Sequence, residues 1–364
     1  MISDKQIIGL SVQAEKFTRE ILPQVSRTFD LAIKFLPNKL SRPVGLAYLL
    51  CRVADTFEDS AILAPAVRQQ MLGKYSNLLV NPGSYDKTLL SELRESFNSG
   101  GNLFDQFAHT SSYPDHLPSL KLVANLDLVL AAVDALPDTF RSHIFPRVRE
   151  MADGMARYTT LASGNDQEIN FLQDENDWDN YCYFVAGTVG HMLTDIFSDY
   201  AGFSDDFRQK LHPLGRSFGL GLQKVNVLKD AVIDTGRGVC FLPRTFIERY
   251  NITFGQKSLT GLKGDLRGLV FNVVEICRRH FQDSLEYIKL IPHKYLGLRM
   301  FLIVPVMLAA ATLRLIADYP QRLLDKGDLK LARADVWKLV HKSAYCKYSN
   351  RLLDYSFGKL YPAK

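Results

Sequence analysis

Apolar residues recur three and four positions apart along most of the chain, and this spacing limits the fold more than any other feature. Because one turn of an α-helix takes about 3.6 residues, such a stripe predicts a helix that buries one face. Similar stripes run through residues 119–136, 138–163, 178–201 and 209–233. The clearest stripe consists of Leu266, Leu269, Val270, Val273, Cys277, Phe281, Leu285 and Ile288.

Strand signals are rare, because alternating β-branched runs bounded by tight-turn pairs are nearly absent. The 364 residues are 47% hydrophobic and 23% charged, which is enough apolar material for a large core. None of the Gly- and Pro-rich breaks separates segments of different composition. The sequence therefore predicts one all-α domain over residues 1–364, with its core at about 20–340.

Charge and targeting signals narrow the function classes. The formal net charge of +5 is small and its basic residues are spread out, so we expect no nucleic-acid partner. Five scattered cysteines without a CxxC pair indicate reduced thiols in a cytosolic protein. The apolar run 300–317 contains Pro305 and Arg314, and we interpret it as a buried core helix. We expect a cytoplasmic protein without a transmembrane anchor, with peripheral contact at the inner membrane face left open.

An acidic group follows the apolar run that ends at residue 54. Asp55, Glu58 and Asp59 are spaced i, i+3 and i+4, so on a helix they share one face. Like charges at this spacing weaken a helix by roughly 0.2–0.5 kcal/mol per pair. Either this face is simply solvated or a bound cation offsets the repulsion.

A second acidic group has the same helical spacing. Asn226, Asp230 and Asp234 lie at i, i+4 and i+8, with Gln223 nearby. One such face alone is more often a solvated surface than a site. Two of them together indicate Mg²⁺, which binds through a few carboxylates and the phosphates of a substrate.

Basic residues close to both groups favour a diphosphate as that substrate. Arg52 precedes the first group, Lys229 lies within the second, and Arg237 follows it. These cations could neutralise phosphate oxygens that the metal ions leave free. Taken singly, each is equally well explained as a surface cation paired with an acidic neighbour.

Four motifs in order resemble those of the squalene/phytoene synthase family of head-to-head prenyl transferases. They are "VSRTFDLAIKFLP" at 25–37, "DTFED" at 55–59, "YCYFVAGTVG" at 181–190 and "NVLKDAVID" at 226–234. The resemblance implies an isoprenoid synthase fold, a single large helical domain around a central cavity. It also implies Mg²⁺-dependent condensation of two farnesyl diphosphate molecules to presqualene diphosphate, followed by NADPH-dependent rearrangement to squalene.

The resemblance also assigns roles to residues. The implied metal-binding residues are Asp55, Glu58, Asp59, Asn226, Asp230 and Asp234. All of them except Glu58 and Asn226 are also implied to be catalytic. The implied diphosphate contacts are Ser26, Arg27, Thr28, Tyr48, Arg52 and Gln223. The charge argument above adds Lys229, which stands where the family commonly has arginine, and Arg237. The implied walls of the prenyl cavity are Phe29, Val185, Val189 and Phe301. The implied catalytic proton relay of the first half-reaction is Tyr181.

Two segments favour the squalene-forming branch of the family. "FLIVPVMLAAATL" at 301–313 resembles a late helix that closes the cavity, and "LKLARADV" at 329–336 resembles a basic segment near NADPH. In that segment Lys330 and Arg333 are the implied cofactor-binding cations. One departure is Ile233, where the family usually has an acid. Eukaryotic members usually end in a membrane helix and this chain does not, so we expect a bacterial form.

Several alternatives stay open. The chain could make presqualene diphosphate, dehydrosqualene or phytoene without the reductive step. A non-catalytic scaffold relative would have been free to lose its carboxylates, which this chain retains. Substrate chain length, the choice between NADPH and NADH, oligomeric state and membrane contact do not follow from the residues.

Overall fold

α-Helices make up almost all of the described chain, as the apolar spacing predicts. The computed structural model describes residues 4–60, 63–97, 117–159, 169–235, 238–253, 264–323 and 329–361. The chain divides into two units, Met1–Thr159 and Thr160–Lys364. The single-domain organisation stays a prediction.

The described part of the first unit contains helices only. In chain order they are α1 (Asp4–Val25), α2 (Arg27–Ile33), α3 (Asn38–Glu58), α4 (Pro65–Leu78), α5 (Lys87–Glu95), α6 (Leu117–Ala124), α7 (Leu126–Asp134) and α8 (Asp138–Tyr158).

The second unit adds one small sheet to its helices. In chain order its elements are β1 (Asn170–Leu172), α9 (Glu175–Cys182), a π-helical turn (Tyr183–Gly187), α10 (Thr188–Ala201), α11 (Asp205–Thr235), β2 (Val239–Pro243), α12 (Arg244–Arg249), α13 (Leu266–Leu290), α14 (Leu296–Asp318), α15 (Arg333–Cys346) and α16 (Asn350–Leu360).

The buried faces of the helices follow the sequence pattern. The stripe on α13 lies in the core of the second unit, and Val270, Val273, Cys277 and Phe281 have no exposed surface. In the described residues, α14 is the one helix long and apolar enough to cross a membrane, and 78% of its apolar window is buried. The interpretation of this segment as a core helix is therefore supported by its burial.

In the described residues of the second unit, two parallel strands form a small sheet. Asn170 pairs with Val239 and Phe171 with Cys240, with an irregularity before Leu172. Strand β1 leads into α9, and β2 follows α11. The pairing therefore holds the start of α9 beside the end of α11. The expectation of very little sheet is confirmed for the described residues.

A π-helical turn interrupts the helix that the sequence predicts over 178–201. The N–H group of Thr188 donates to the carbonyl of Tyr183, five residues back, instead of four. A Cβ atom on Gly187 would lie 2.7 Å from the ring of Tyr183, so this turn requires glycine. Turns of this kind occur often at functional sites.

Glycines let α10 and the π-helical turn cross α11 at backbone contact. A Cβ atom on Gly190 would overlap the carbonyl oxygen of Gly215, and one on Gly219 would overlap that of Ala186. Both positions lie inside helices, where glycine normally weakens the helix. The close crossing explains why glycine is nevertheless found there.

We predict that Gly219→Ala destabilises the protein by about 2 kcal/mol or more, because the added methyl group meets backbone that has no room to move. Gly358→Ala in α16 is the matched control in the same unit, since a Cβ atom added there would have no neighbour within 4 Å. That control should be neutral or gain up to about 1 kcal/mol of helix propensity. Thermal and denaturant unfolding measure both, and equal effects of the two variants would contradict the close crossing.

Candidate functional site

The acidic face of the first unit lies at the C-terminal end of α3. Tyr48, Arg52, Asp55 and Asp59 follow one another at helical spacing, and Asp59 is the C-cap. The Arg52 Nη1 atom lies 3.8 Å from Asp55 Oδ2, and its Nε and Nη2 atoms donate to Ser119 Oγ at 3.4 and 3.3 Å. A guanidinium group is thus held beside the open carboxylates.

The carboxyl group of Asp55 is only partly solvated, and this changes its pKa. Burial raises its pKa to about 7, an effect that the Arg52 guanidinium opposes and the Asp59 carboxylate reinforces. About a quarter of its side chain is nevertheless exposed. A cation at this face would relieve the repulsion between the two carboxylates and favour the charged form of Asp55.

Glu58 lies in a different environment from its two acidic neighbours. Its side chain is buried, whereas Asp55 and Asp59 are partly exposed. Arg68 Nη1 donates to the Glu58 backbone carbonyl at 3.1 Å and thereby caps the end of α3. The three acids therefore do not form one equally open cluster.

The turn before α2 packs against the same face of α3. The Ser26 hydroxyl caps α2 by accepting from the backbone N–H of Phe29 at 3.1 Å. The Phe29 ring stacks on Tyr48 with centroids 5.5 Å apart, and the Tyr48 hydroxyl donates to the Val25 carbonyl at 3.2 Å. The structure thus places Ser26, Phe29 and Tyr48 together, and their roles in diphosphate binding and in the prenyl cavity stay predictions.

The acidic face of the second unit lies on the last three turns of α11. Asn226 Nδ2 donates to Gln223 Oε1 at 3.5 Å, and Lys229 Nζ lies 3.2 Å from Asp230 Oδ2. Asn226 is exposed and the Asp230 side chain is 37% exposed, but Asp234 is buried. Asp230 therefore carries the open carboxylate of this face.

A buried ion pair fixes α11 against α9. Lys224 has no exposed surface, and its Nζ atom donates to Asp179 Oδ1 at 2.5 Å. The same ammonium lies 3.7 Å from the ring centroid of Trp178, which is also fully buried. A buried ammonium requires such partners. Because Lys224 lies two residues before Asn226, the pair sets the register of the acidic face.

Tyr181 at the end of α9 rests on the strand that follows α11. Its ring stacks on Phe241 of β2 with centroids 4.2 Å apart and planes 7° apart. One turn further on, Val185 lies in the π-helical turn and Val189 in α10, and both are partly exposed. The aromatic hydroxyl and these two valines therefore belong to one continuous segment.

The remaining predicted residues lie on other elements of the second unit, or their side chains lie outside the described part. Phe301 is buried in α14 with its ring 5.7 Å from that of Phe197. Lys330 and Arg333 are exposed, before and at the start of α15. The side chains of Arg27, Thr28, Ile233 and Arg237 lie outside the described residues.

No group of three or more His, Cys, Asp or Glu side chains in the described ranges could hold a metal ion. Mg²⁺ does not need such a group, because it binds through one or two carboxylates and completes its shell with water and substrate phosphates. The oxygen donors Asp55, Asp59, Asn226 and Asp230 suit this hard cation. The residues therefore fit Mg²⁺ as a partner of a diphosphate, not as a closed protein cage.

Sequence reasoning missed four features of the second unit. The Lys224–Asp179 pair was detectable, because Lys224 occupies an apolar position of the α11 stripe. The stacking of Tyr181 on Phe241 and the π-helical turn depend on packing between elements, which periodicity does not report. His191, which lacks a metal-spaced partner in sequence, has its Nδ1 atom 2.7 Å from that of His212.

Comparison with known proteins agrees with the motif order. The model of the family described as squalene/phytoene synthase matches residues 22–335. The chain belongs to the squalene/phytoene synthase family. The motifs at 25–37, 55–59, 181–190 and 226–234 all lie within the matched range.

Curated relatives within this family cover most of the chain. Squalene synthase of Schizosaccharomyces pombe is 28% identical over 90% of this chain and 65% of its own length. Squalene synthase ERG9 of Saccharomyces cerevisiae is 26% identical over 92% of this chain and 68% of its own length. The chain thus spans about two thirds of the length of these relatives.

Solved structures show the same fold. The complex of TcSQS with the ligand E5700 has a TM-score of 0.73 at 22% identity, covering 95% of this chain and 91% of the other. A dehydrosqualene synthase in complex with a ligand has a TM-score of 0.61 at 17% identity, covering 93% and 100%. The all-α isoprenoid synthase fold is confirmed.

The expectation of a bacterial form receives no support from these relatives. The curated family members reported above are eukaryotic. The expectation rested on the lack of a membrane helix after "LLDYSFGKLYPAK", and the end of the sequence does not reveal its source.

We predict that Asp179→Asn costs more stability than Lys224→Met. Asp179→Asn leaves a fully buried ammonium without its anion, at a cost of about 3–5 kcal/mol. Lys224→Met leaves a carboxylate that is one third exposed and remains partly hydrated, so we expect about 1–2 kcal/mol. Denaturant unfolding measures both variants, and the double variant gives their coupling. A larger loss in Lys224→Met would contradict the assignment of the buried charge.

Proposed function

We propose that this chain is a squalene synthase that condenses two farnesyl diphosphate molecules head to head and reduces the product to squalene. The observation that carries the proposal is the acidic face of α11, where Asn226, Asp230 and the cation Lys229 stand together inside a family-matched helix. The names of the curated relatives support the same activity.

Both acidic faces would hold Mg²⁺ through their open carboxylates. When bound, the ion supplies positive charge that stabilises pyrophosphate as a leaving group. Asp55 and Asp59 on α3, and Asp230 with Asn226 on α11, offer the oxygen ligands. Buried Glu58 and buried Asp234 would support these ligands from behind.

The cations beside the carboxylates would bind the phosphate oxygens. The Arg52 guanidinium, held by Ser119 and Asp55, presents a fixed fork of donors, which suits a phosphate. Lys229 provides a point charge at the other face. Charge stabilisation then favours cleavage of the allylic C–O bond, leaving an allylic cation and pyrophosphate.

Water would quench the allylic cation, so the walls of the prenyl cavity must be apolar. The partly exposed Val185 and Val189, on the segment that begins at Tyr181, would contact the prenyl chains. Phe29 lies beside Tyr48 in the first unit and would serve the same purpose. Aromatic faces stabilise a nearby cation by roughly 0.5–2 kcal/mol each.

Tyr181 would act as the proton relay of the first half-reaction. The double bond of the second farnesyl chain attacks the cation, and loss of a proton closes the cyclopropane ring of presqualene diphosphate. The stacking of Tyr181 on Phe241 fixes the ring orientation. A phenol has an ordinary pKa of about 10, so the proton passes through the hydroxyl to pyrophosphate.

The reductive half-reaction would use a nicotinamide cofactor that is bound through its phosphate groups. NADPH, when bound, supplies the hydride that ends the second half-reaction. Lys330 and Arg333 are exposed at the N-terminal end of α15, where cations and helix N–H groups together suit a phosphate. A cytoplasmic enzyme would meet both NADPH and farnesyl diphosphate.

Product analysis tests the proposal. Purified protein receives farnesyl diphosphate and Mg²⁺, with and without NADPH, and the products are separated by gas chromatography and mass spectrometry. We expect squalene only with NADPH. Presqualene diphosphate or dehydrosqualene regardless of NADPH would contradict the reductive half, and no turnover would contradict the proposed activity.

We predict that Asp55→Asn and Asp230→Asn each lower the rate of pyrophosphate release at least 100-fold while leaving the fold intact. Each change removes a negative ligand charge but keeps the side-chain shape. Asp153→Asn on the exposed surface of α8 is the control and should retain activity. Circular dichroism checks the fold. Wild-type release in either site variant would contradict its assignment as a metal ligand.

A further inference from the structure

Exposed apolar side chains concentrate on the last two helices. Eight large apolar residues of the described chain are exposed, and five of them lie within 19 positions near its end. They are Trp337, Tyr345, Tyr348, Leu352 and Tyr355. Single exposed apolar residues are normal, but a group of this density marks an interaction surface. We call residues 337–359 the C-terminal surface.

Each of the two helices has one face in the core and one in solvent. On α15, Trp337, His341 and Tyr345 are exposed at i, i+4 and i+8. On α16, Tyr355 and Lys359 are exposed one turn apart. The opposite sides are buried through Val340, Ser343, Cys346, Leu353, Ser356 and Phe357. Both helices are therefore amphipathic with an aromatic outer face.

The corner between the helices is rigid, so its side chains are presented in a fixed arrangement. The fully buried Arg299 donates to the Lys347 carbonyl at 2.8 Å and to Asn350 Oδ1 at 2.7 Å. The same guanidinium donates to the Ile288 and Ile291 carbonyls at the end of α13. Tyr345, Tyr348 and Leu352 flank this anchored corner.

The surface is also strongly basic. Residues 337–359 contain five Lys and Arg and one Asp. The Oδ1 atom of that acid, Asp354, lies 3.6 Å from Nζ of Lys289. The positive charge among the exposed rings is therefore little opposed.

Basic and aromatic groups interleave on this surface. Lys347 Nζ lies 5.0 Å from the ring centroid of Tyr348, and Lys359 Nζ lies 5.8 Å from that of Tyr355. Protein–protein interfaces are depleted in Lys, whereas Trp, Tyr, Lys and Arg together are typical of a membrane–water interface. The composition favours a lipid headgroup region over a protein partner.

We propose that the C-terminal surface docks on a bilayer that contains anionic lipids. The rings of Trp337, Tyr345, Tyr348 and Tyr355 enter the headgroup region, and the neighbouring Lys and Arg side chains bind lipid phosphates. The proposal rests on these exposed side chains and not on catalysis. Under the proposed function, such docking would release a water-insoluble hydrocarbon next to the bilayer.

Tryptophan fluorescence provides a direct test. The chain has two tryptophans, of which Trp178 is fully buried and Trp337 is 55% exposed. Vesicles of phosphatidylcholine with 30% phosphatidylglycerol, as a test composition, should shift the emission to shorter wavelength and protect it from iodide. Trp337→Phe should abolish the shift. A shift that persists in Trp337→Phe would overturn the proposal.

Vesicle sedimentation separates the contributions of charge and rings. Lys342→Gln/Arg351→Gln/Lys359→Gln should weaken binding by about 100-fold, because each of the three basic residues near an anionic surface contributes a factor of about five. The matched control is Lys39→Gln/Lys87→Gln/Lys121→Gln, which removes three exposed charges elsewhere. For the rings, Tyr345→Ser/Tyr348→Ser/Tyr355→Ser is compared with Tyr319→Ser, an exposed tyrosine outside the C-terminal surface.

The outcomes distinguish docking from the proposed function. Turnover in detergent, without vesicles, should be unchanged in both surface triple variants, so a failure of the proposed reaction would show there and not in sedimentation. Equal binding of wild type and surface variants, or no binding of wild type to anionic vesicles, would overturn the docking proposal. Equal binding to pure phosphatidylcholine would also overturn it. Retention of wild type, but not the surface variants, by an acidic polypeptide with no vesicle binding would instead indicate a protein partner.

Discussion

The backbone contact between α11 and the segment 186–190 is the constraint on which the second unit depends. Two helices approach this closely only where glycine replaces side chains, as at Gly190, Gly215 and Gly219. The contact places the π-helical turn and the carboxylate-bearing helix in direct neighbourhood. Together with the Lys224–Asp179 pair and the β1–β2 pairing, it fixes the segment of Tyr181, Val185 and Val189 relative to α11.

Helix α11 carries a buried charge at Lys224 and a partly exposed charge at Asp230, and the two have different roles. Lys224 is fully buried and neutralised by Asp179 and the Trp178 ring, so it contributes to register. Two residues later the helix surface turns polar, and Asp230 remains open beside Lys229. The buried Lys224–Asp179 pair fixes geometry, whereas the carboxylate of Asp230, although paired with Lys229, is exposed enough for a cation to reach it. The region of Lys224 therefore anchors α11, and the face with Asn226 and Asp230 is available for binding.

Much of the fold followed from the sequence because helical periodicity is a local property. The α13 stripe and the buried α14 segment were predicted from spacing and length. The π-helical turn could not be predicted, because helical periodicity does not distinguish a hydrogen bond that spans five residues from one that spans four. The separation of buried Glu58 from Asp55 also depends on tertiary packing, since spacing places both on one face.

The motifs located the candidate residues in the chain but did not predict how buried each side chain is. The family motifs located the acids on α3 and α11, and the structure places the residues of each motif together within its own unit. Periodicity gave no sign that the outer faces of α15 and α16 are aromatic. Trp337 and Tyr345 could equally have packed inward, and only burial of Val340 and Ser343 on the opposite side decides their orientation.

Thermal unfolding with an inert thio-linked analogue of farnesyl diphosphate tests the central claim, that these carboxylates bind a diphosphate through Mg²⁺. A ligand that binds only the folded state raises the melting temperature. The account predicts a rise when Mg²⁺ and the analogue are present together, and little or none with either alone. An equal rise with the analogue in the presence of a chelator would contradict it, as would no rise in any condition.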